Sequence, residues 1–269
     1  MVPNDPSDKA AGPSQRLPPG ALSIDLNCDM GEGMPTDGAI FPFISSANIA
    51  CGYHAGDAAT MRRTIRLAIQ HGVAIGAHPS YPDRDNFGRI DLLDTRMRYE
   101  QIPGMVLDQL QLLQTICDEF DVRLHHVKPH GALYNRAAKD ATLSAMICQA
   151  IHEFDPSLLL YGLSGSQMKT AAGRHGLSFV SEIFADRTYR EDGSLTPRTE
   201  PGALIEDPQP VVRQVLKMVE EDRGETICLH GDGVHAAAFA RLVHTTLSEK
   251  GIAIRAPFLQ GYSLPIRPY

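Results

Sequence analysis

The sequence contains no tryptophan, and aromatic residues make up only 6% of it. Because sugar-binding platforms rely on aromatic faces, this composition disfavours a carbohydrate-binding surface. No stretch approaches the roughly 20 consecutive apolar residues that a membrane-spanning helix requires. Basic residues form no stripe and the formal net charge is -7, so neither a membrane nor a nucleic acid is an expected partner.

The sequence also lacks the closely spaced cysteine pairs that structural zinc sites and redox motifs use. The five cysteines are odd in number and widely spaced, which favours a reducing, cytoplasmic compartment. Residues 1–21 are rich in proline, have no apolar segment and carry acidic residues early, so they do not resemble a secretory signal. We expect a flexible N-terminal extension at 1–21 and a single domain over 22–269.

Residues 125–135, HHVKPHGALYN, concentrate three histidines, a lysine and an asparagine at the end of a predicted strand. Alternation over residues 122–128 places Leu124, His126 and Lys128 on one face. Pro129 cannot donate a ladder hydrogen bond, so the strand is predicted to end there. Lys128 and His130 are therefore expected at the mouth of a site, although surface polar residues or hydrogen-bonded core histidines would give the same pattern.

Short apolar strands alternate with helices along the rest of the chain, which indicates parallel βαβ units. The predicted strands cover residues 21–29, 44–50, 73–77, 122–128, 158–163, 177–183, 226–229 and 252–254. The predicted helices cover residues 57–70, 94–120, 133–154, 167–175, 207–220 and 235–250, with a kink at Pro103 in the second. Polar residues follow nearly every strand, which favours a closed barrel over a doubly wound sheet.

Five motifs in a fixed order resemble those of the LamB/YcsF family, which includes the A component of bacterial 5-oxoprolinase. They are DLNCDMGEG at 25–33, SANIACGYHAGD at 46–57, GAHPSYPD at 76–83, KPHGALYN at 128–135 and HGD at 230–232. The resemblance implies an α/β fold, a TIM-like (β/α)7 barrel related to glycoside hydrolases and deacetylases. It further implies opening of 5-oxo-L-proline to L-glutamate, with ATP as co-substrate and with 5-oxoprolinase subunits B and C as partners.

The chemistry implied by this resemblance gives roles to the polar residues at the strand ends. A lysine and a protonated histidine would bind phosphate or an oxyanion, and a carboxylate or a neutral histidine would act as general base. The candidate catalytic residues are Asp25, His54, His78, Lys128 and His130, and the candidate substrate-binding residues are Asn27, Glu32, Asn48, Asp186, Arg187 and His230. We expect Asp25, Asn27, His54, His78, Lys128, His130 and His230 to line one pocket.

Each assignment has a structural alternative. Carboxylates and amides at a strand end often cap the next element, and a buried imidazole is often satisfied by a neighbour. Asp186 and Arg187 would, on this view, form an ordinary ion pair. For Lys128 we expect a stem packed among barrel side chains and an ammonium at the mouth. Lys128→Met would then lower turnover about 10²- to 10³-fold and leave the fold intact.

The sequence does not decide whether the chain binds a divalent metal or a nucleotide. His126 and His130 have the spacing of the paired histidines of metal-dependent deacetylases, but a straight strand separates them by roughly 13 Å, so a shared ion requires Pro129 to turn the chain. The other candidate ligands are Asp25, His54 and His78. Residues 162–170, GLSGSQMKT, lack the Gly-Lys-[Ser/Thr] ending of a phosphate loop, which favours a glycine turn there and ATP held largely by partner subunits.

Two other functions compete with lactam opening. The first is metal-dependent deacetylation of a sugar or related amide, which a chelator would abolish and which needs no ATP. The second is a non-catalytic carbohydrate-binding or regulatory barrel, in which mutation of Lys128 would leave turnover unchanged. The sequence does not decide whether the chain forms a homo-oligomer.

Overall fold

The computed structural model describes residues 22–230 and 236–265. The predicted extension at 1–21 lies outside these ranges, as do Gly231 and Asp232 of the last motif. The strands are β1 (Ser23–Met30), β2 (Ser46–Ala50), β3 (Ala74–His78), β4 (His126–Val127), β5 (Leu159–Leu163), β6 (Ser178–Phe184), β7 (Thr226–Leu229) and β8 (Ala253–Ile254). The helices are α1 (Asp37–Ile40), α2 (Ala58–His71), α3 (Ile102–Asp118), α4 (Gly131–Ala137), α5 (Ala141–Phe154), α6 (Gln167–Arg174), α7 (Pro208–Glu220) and α8 (Ala236–Glu249). No helix in the described ranges is long and apolar enough to cross a membrane.

Seven of the strands close into a parallel barrel. Strands β1 to β7 pair in chain order, and β7 pairs back with β1. In this register Cys28 of β1 lies opposite Ala47 of β2 on one side and Leu229 of β7 on the other. Strand β8 pairs only with the first residues of β1, outside the ring. The predicted TIM-like (β/α)7 barrel is therefore confirmed.

Strand β1 has alternating faces, because successive side chains of a strand point to opposite sides. Leu26, Cys28 and Met30 are fully buried in the hydrophobic core that the helices complete around the barrel. Asp25, Asn27 and Asp29 point the other way and hydrogen-bond across the barrel interior. The inside of the barrel is consequently lined by polar layers at this strand.

Helix α2 begins and ends where its local sequence predicts. The side chain of Asp57 accepts a hydrogen bond from the backbone N–H of Thr60, satisfying a donor that the first turn leaves free. Gly72 follows the last residue in the left-handed conformation, with φ of 64°, which glycine adopts without a Cβ penalty.

Three predicted elements differ from the structure. Helix α3 begins at Ile102 instead of Asp94, because Pro103 lies in its first turn, where the missing N–H is harmless, and does not kink it. Strand β4 covers two residues, since the N–H of Val122 bonds back to Cys117 at the end of α3. The predicted helix over 133–154 is two helices, because Asp140 caps a new one through the N–H of Leu143.

The chain after β8 closes the end of the barrel where the strands begin. Leu259 packs against Leu159, Tyr161 and Val180 in a small apolar cluster. The carbonyl of Pro257 lies 2.9 Å from Nε2 of His125. The opposite end of the barrel is left for the site.

Candidate active site

A cavity of about 580 Å³ opens at the end of the barrel where the parallel strands finish. This volume lies in the range of about 300–1,000 Å³ typical of small-molecule sites. The polar residues contributed by the strand ends are Asp29, Glu32, His78, Lys128, His130 and His230.

Three imidazoles and one carboxylate form a compact group on one wall, which we call the imidazole cluster: His54, His78, His130 and Glu32. Nδ1 of His130 lies 2.9 Å from Nε2 of His78, and Nε2 of His54 lies 3.1 Å from Oε1 of Glu32. The rings of His54 and His130 stack with centroids 3.8 Å apart and 6° between their planes. The histidines come from the ends of β2, β3 and β4 and the loops after them, so the barrel, and no local motif, assembles the cluster.

The surroundings of the imidazole cluster favour the neutral form of two of its histidines, His54 and His130. Burial lowers the pKa of His54 to about 2, and the neighbouring charge of His78 acts in the same direction. Burial and the adjacent imidazoles also hold the pKa of His130 well below its usual value. These two rings therefore offer nitrogen lone pairs at neutral pH, as a base or a metal ligand requires.

Lys128 is buried on the floor of the cavity as a paired charge, which corrects the expectation of an ammonium at the mouth. Its Nζ lies 3.0 Å from Oδ1 of Asp29, 2.8 Å from Oε1 of Glu182 and 3.1 Å from Sγ of Cys228. Burial opposes its charge, but Asp29 and then Cys228 and Glu182 outweigh burial and raise the pKa of Lys128 well above its usual value. Two buried carboxylates depend on this single ammonium.

Asp29 is a fixed negative charge in this floor. Burial opposes its ionisation, but His78, at 3.3 Å from Oδ2, and Lys128 together hold the pKa of Asp29 well below its usual value. A carboxylate with such a low pKa takes up a proton poorly. Asp29 is therefore suited to orienting and electrostatic roles more than to proton abstraction.

Asp25 lies one layer deeper and does not line the cavity, contrary to the sequence prediction. Its carboxylate accepts hydrogen bonds from the hydroxyls of Ser45, Ser46 and Thr226 at 2.5, 2.8 and 2.6 Å. Burial raises the pKa of Asp25, and these hydrogen bonds offset part of that rise. Asp25 is four residues before Asp29 on an extended strand, so it lies roughly 13 Å deeper along the strand.

Asn27 and Asn48 form the layer between Asp25 and the cavity and likewise do not line it. The Nδ2 group of Asn48 donates to Oδ1 of Asn27 and of Asp29, each at 2.8 Å. Asn27 in turn donates to Glu182 at 2.9 Å. These amides hold the floor carboxylates in place.

His126 is separated from the imidazole cluster. Its Nε2 lies 2.8 Å from Oδ1 of Asn48, and its ring stacks on Tyr161 with centroids 4.0 Å apart, inside the barrel. His130 instead turns with the chain after Pro129 and joins His78. The two histidines of the His126-x-x-x-His130 spacing consequently do not share one position.

His230 and Asp186, which follow β7 and β6 at the same end of the barrel as the imidazole cluster, form a dyad. Nδ1 of His230 lies 2.7 Å from Oδ1 of Asp186, and the ring of Phe184 stacks on the imidazole. Burial opposes ionisation of Asp186, but His230 lowers the pKa of Asp186 below its usual value. Asp186 therefore pairs with His230 and not with Arg187, whose guanidinium donates to the carbonyls of Thr196 and Ala203. Arg187 nevertheless lines the cavity.

A sequence model of the LamB/YcsF family matches residues 24–260. The chain belongs to the LamB/YcsF family. It is 38% identical to the lactam utilization protein from Thermus thermophilus, with a TM-score of 0.81 over 88% of this chain and 100% of that one. A putative cellobiose-phosphate cleavage protein from Enterococcus faecalis V583 is 14% identical, with a TM-score of 0.58 over 87% of this chain and 96% of that one. The catalytic domain of a peptidoglycan N-acetylglucosamine deacetylase from Eubacterium rectale ATCC 33656 is 13% identical, with a TM-score of 0.51 over 97% and 98%. These last two share the fold.

Three residues of this LamB/YcsF site were not predicted. Glu182 pairs with Lys128, Cys228 contacts the same ammonium, and Phe87 supplies a carbonyl to His130. Glu182 had a recognisable signal, since it is the one carboxylate in strand β6. Cys228 and Phe87 had none, because only the closure of the barrel and a tight turn bring them to the site.

Arg89 and Arg190 lie exposed at the rim, which we call the cationic mouth, and cations predominate over the whole cavity. Among the described residues, seven Lys and Arg side chains line it, against three Asp and Glu side chains: Arg89, Lys128, Arg136, Lys139, Arg187, Arg190 and Arg198 against Asp29, Glu32 and Asp91. Arg136 is held by Asp91, Asp94 and Asp140, so it is part of the wall. In a chain with a formal charge of -7, this concentration favours anionic ligands at this one place.

Residues 162–170 form the turn that the sequence favoured. The N–H of Ser166 bonds to the carbonyl of Leu163 at 3.0 Å, and Gly165 has a φ of 77°. Helix α6 follows directly. Of this stretch, only Leu163 lines the cavity.

Proposed function

We propose that this chain is the A component of an ATP-dependent 5-oxoprolinase, which hydrolyses 5-oxo-L-proline to L-glutamate while ATP is cleaved to ADP and phosphate. The single observation that carries this proposal is the cavity that brings together His230 of the dyad, Glu32, His78 and His130 of the imidazole cluster, and the buried ammonium of Lys128. Membership of the LamB/YcsF family and similarity to a protein named for lactam utilization support it. Subunits B and C of 5-oxoprolinase are the proposed partners.

Lactam opening requires an activated carbonyl, because an unstrained amide is a poor electrophile. Transfer of the γ-phosphoryl group of ATP to the amide oxygen makes the ring carbon electrophilic. Water then adds to that carbon, the C–N bond breaks as the ring nitrogen takes a proton, and γ-glutamyl phosphate results. A second water releases phosphate and L-glutamate. The sum consumes one lactam, one ATP and two waters.

The residues around the cavity match these requirements. Glu32 and the neutral His130 lie together on one wall, where either accepts a proton from the attacking water. His230, oriented by the hydrogen bond between its Nδ1 and Asp186, is placed to give the departing nitrogen its proton. Lys128 offsets negative charge that develops on the substrate oxygen, as a preorganised cation does at low cost.

The cationic mouth suits the two anionic parts of the proposed substrates. The carboxylate of 5-oxoproline and a transferred phosphoryl group both prefer guanidinium partners, which bind planar oxyanions through two parallel hydrogen bonds. Arg89 and Arg190 form this mouth, and Arg198 also lines the cavity. We propose that the lactam ring lies toward His230 and the imidazole cluster, with its carboxylate toward these arginines.

The dyad gives the sharpest test. In the complex reconstituted with subunits B and C, we expect His230→Asn and Asp186→Asn each to lower the ATP-dependent formation of glutamate from 5-oxoproline by about 10²- to 10⁴-fold. His152→Asn, on the exposed side of α5, is the matched control and should retain wild-type turnover. Wild-type rates in both dyad variants would reject this mechanism.

Metal-dependent deacetylation is the second candidate, and the imidazole cluster is the observation that favours it. The donor set of three imidazoles and a carboxylate fits a divalent transition metal, which would supply Lewis-acid polarisation of a carbonyl. The two candidates separate cleanly. A deacetylase would cleave acetylated amides without ATP and lose all activity with a chelator, whereas the 5-oxoprolinase requires ATP and the partner subunits.

A further inference from the structure

We propose that Glu32, His54, His78 and His130 form a binding site for one divalent transition-metal ion in the wall of the cavity. One ligand atom from each residue lies within 4.8 Å of every other. The inference concerns metal binding itself and does not depend on which amide the chain cleaves. An ion bound there would occupy lone pairs of Glu32 and His130, so these two residues act as proton acceptors only in the ion-free chain. The inference also replaces the ligand sets that the sequence suggested, since Asp25 and His126 lie inside the barrel.

The hydrogen bonds around two of the rings fix where their lone pairs point. Nδ1 of His78 lies 2.7 Å from the carbonyl of Lys128, and Nε2 of His130 lies 2.9 Å from the carbonyl of Phe87. A carbonyl only accepts, so each ring must carry its proton on that nitrogen. Nε2 of His78 and Nδ1 of His130 are then both lone-pair donors in the neutral rings, and they face each other at 2.9 Å.

Two facing lone pairs repel unless a cation lies near them. Metal–nitrogen bonds of about 2.0–2.1 Å put two ligands of one ion roughly 2.9–3.4 Å apart, and the observed nitrogen separation lies at the lower end of this range. Oε1 of Glu32 lies 3.5 Å from Nδ1 of His130 and 4.0 Å from Nε2 of His78. Carbonyl groups that fix the tautomer of a ligating histidine are typical partners in metal sites.

The chemistry of the donors selects the class of ion. Three imidazoles and one carboxylate suit Zn²⁺, Co²⁺, Ni²⁺ or Fe²⁺, whereas Mg²⁺ and Ca²⁺ prefer sets made of oxygen. Glu32, His78 and His130 line the cavity, so an ion held there is open to substrate or water on one side. His54 closes the other side, with 1% of its surface exposed.

The walls behind the imidazole cluster are built to fix its ring positions. A Cβ atom at Gly88 would lie 3.0 Å from Cβ of His54 and 3.0 Å from Cδ2 of His130. Phe87 beside it adopts a φ of 57°, which is rare for a bulky residue, and its ring contacts His54 and His130 edge-on. Strain of this kind persists where the surrounding structure holds a functional geometry.

Two other groups of potential ligands do not compete. Asp29, Cys228 and His230 also lie close together, but the ammonium of Lys128 contacts both Asp29 and Cys228 and supplies their cation. His125 and His126 face each other through Nδ1 atoms 3.1 Å apart, yet neither lines the cavity. Among the described residues, the imidazole cluster combines three imidazoles with a carboxylate and lies partly on the cavity.

Metal binding is tested on the purified full chain, without substrate. After removal of metals with a chelator, Zn²⁺ titration followed by calorimetry should give one site per chain, and Co²⁺ should produce visible d–d absorption of a nitrogen-rich site. Glu32→Gln and His130→Gln should each weaken Zn²⁺ binding by more than the roughly 10- to 100-fold that loss of an outer partner costs. His230→Asn, in the competing group, should leave Zn²⁺ affinity unchanged.

Thermal unfolding and circular dichroism of each variant keep the comparison valid, and Glu32→Gln preserves the size of its side chain. Absence of saturable Zn²⁺ binding by the wild-type chain would overturn the inference, and would mean that His78 and His130 share a proton. Loss of affinity in His230→Asn with retention in Glu32→Gln would equally overturn it. Because neither readout uses ATP or 5-oxoproline, failure of the proposed reaction is distinguishable from failure of the metal site.

Discussion

A Cβ atom at Gly76 would lie 2.1 Å from Nε2 of His126, inside its imidazole ring. Gly76 of β3 is the register partner of His126 of β4, and both lie in the barrel interior. The absent side chain therefore provides the space in which His126 stacks on Tyr161 and contacts Asn48. Asn48 in turn supports Asp29, so one glycine affects the floor of the cavity through a chain of contacts.

We expect Gly76→Ala to destabilise the fold by at least about 1–3 kcal/mol, since overpacking an interior forces side chains from their rotamers. Gly173→Ala is the matched control, because a Cβ there meets no atom within 4 Å and lies in helix α6. Alanine stabilises such a position by roughly 0.5–1 kcal/mol. Chemical denaturation of both variants measures the difference, and equal stabilities would show that His126 moves aside freely.

Lys128 is a second residue on which several others depend. Removing its ammonium leaves Asp29 and Glu182 as buried carboxylates without their cation. Breaking a buried ion pair at one partner costs about 3–5 kcal/mol, which changes the expectation from the sequence that Lys128→Met would leave the fold intact. Loss of turnover in this variant is thus informative only beside its stability.

The melting temperatures of Lys128→Met and of the wild type should change in opposite directions as the pH is lowered. The pKa of Asp29 is lowered in the folded wild type, so its contribution to stability is present above the unfolded value near 3.8 and is lost as pH falls below it. We expect the wild-type melting temperature to drop on acidification through about pH 4. In Lys128→Met, protonation of a buried carboxylate relieves an unpaired charge, so its melting temperature should rise as the pH is lowered from about 8 to about 5. A parallel decline in both proteins would contradict this account.

At the scale of elements, the segment after β8 acts as the closure of the barrel. Leu259 is 7% exposed and completes the apolar cluster around Tyr161, while its neighbour Phe258 is 86% exposed. The hydroxyl of Tyr262 accepts a hydrogen bond from the N–H of Ile75 at the start of β3. This segment thus holds the N-terminal ends of several strands together without adding a strand to the barrel.

Leu259→Ala should lower the free energy of unfolding by about 2–5 kcal/mol, as truncation of a buried leucine does. Phe258→Ala, one residue away and exposed, should change it by less than about 0.5 kcal/mol. Thermal or urea unfolding of both variants makes the comparison. Similar effects at the two positions would show that the segment detaches from the barrel in solution.

Elements with local signals were predictable from the sequence, and those set by distant contacts were not. Asp57 and Gly72 define the two ends of α2 through hydrogen bonds to their own helix. The start of α3 was not predictable in this way, because a proline such as Pro103 can either begin a helix or kink it. Alternation of apolar and polar residues along β1 separates Asp25 from the apolar face of the strand. Its burial beneath the cavity depends on hydroxyls from Ser45, Ser46 and Thr226, which only closure of β1 against β2 and β7 brings together.

At the scale of the whole molecule, the cavity and its charges bear on how ATP is used. The described residues carry no complete phosphate loop, and the stretch at 162–170 is a turn of which only Leu163 reaches the cavity. The cationic mouth is accessible from outside the barrel and suits a phosphorylated substrate delivered there. We infer a division of labour in which partner subunits bind ATP and this chain opens the ring.

We therefore expect the isolated chain to convert 5-oxoproline to glutamate at a negligible rate, with or without ATP, and the complex with subunits B and C to form glutamate and ADP in equal amounts. In a complex that carries His230→Asn, the activated lactam should still form, but its ring nitrogen lacks a proton donor. Water then displaces phosphate and regenerates the lactam, so ADP should accumulate in excess of glutamate. Parallel assays of ADP and glutamate measure this ratio. Full coupled turnover by the isolated chain would place ATP binding here, and an unchanged ratio in the variant would assign ring opening to one of the partners.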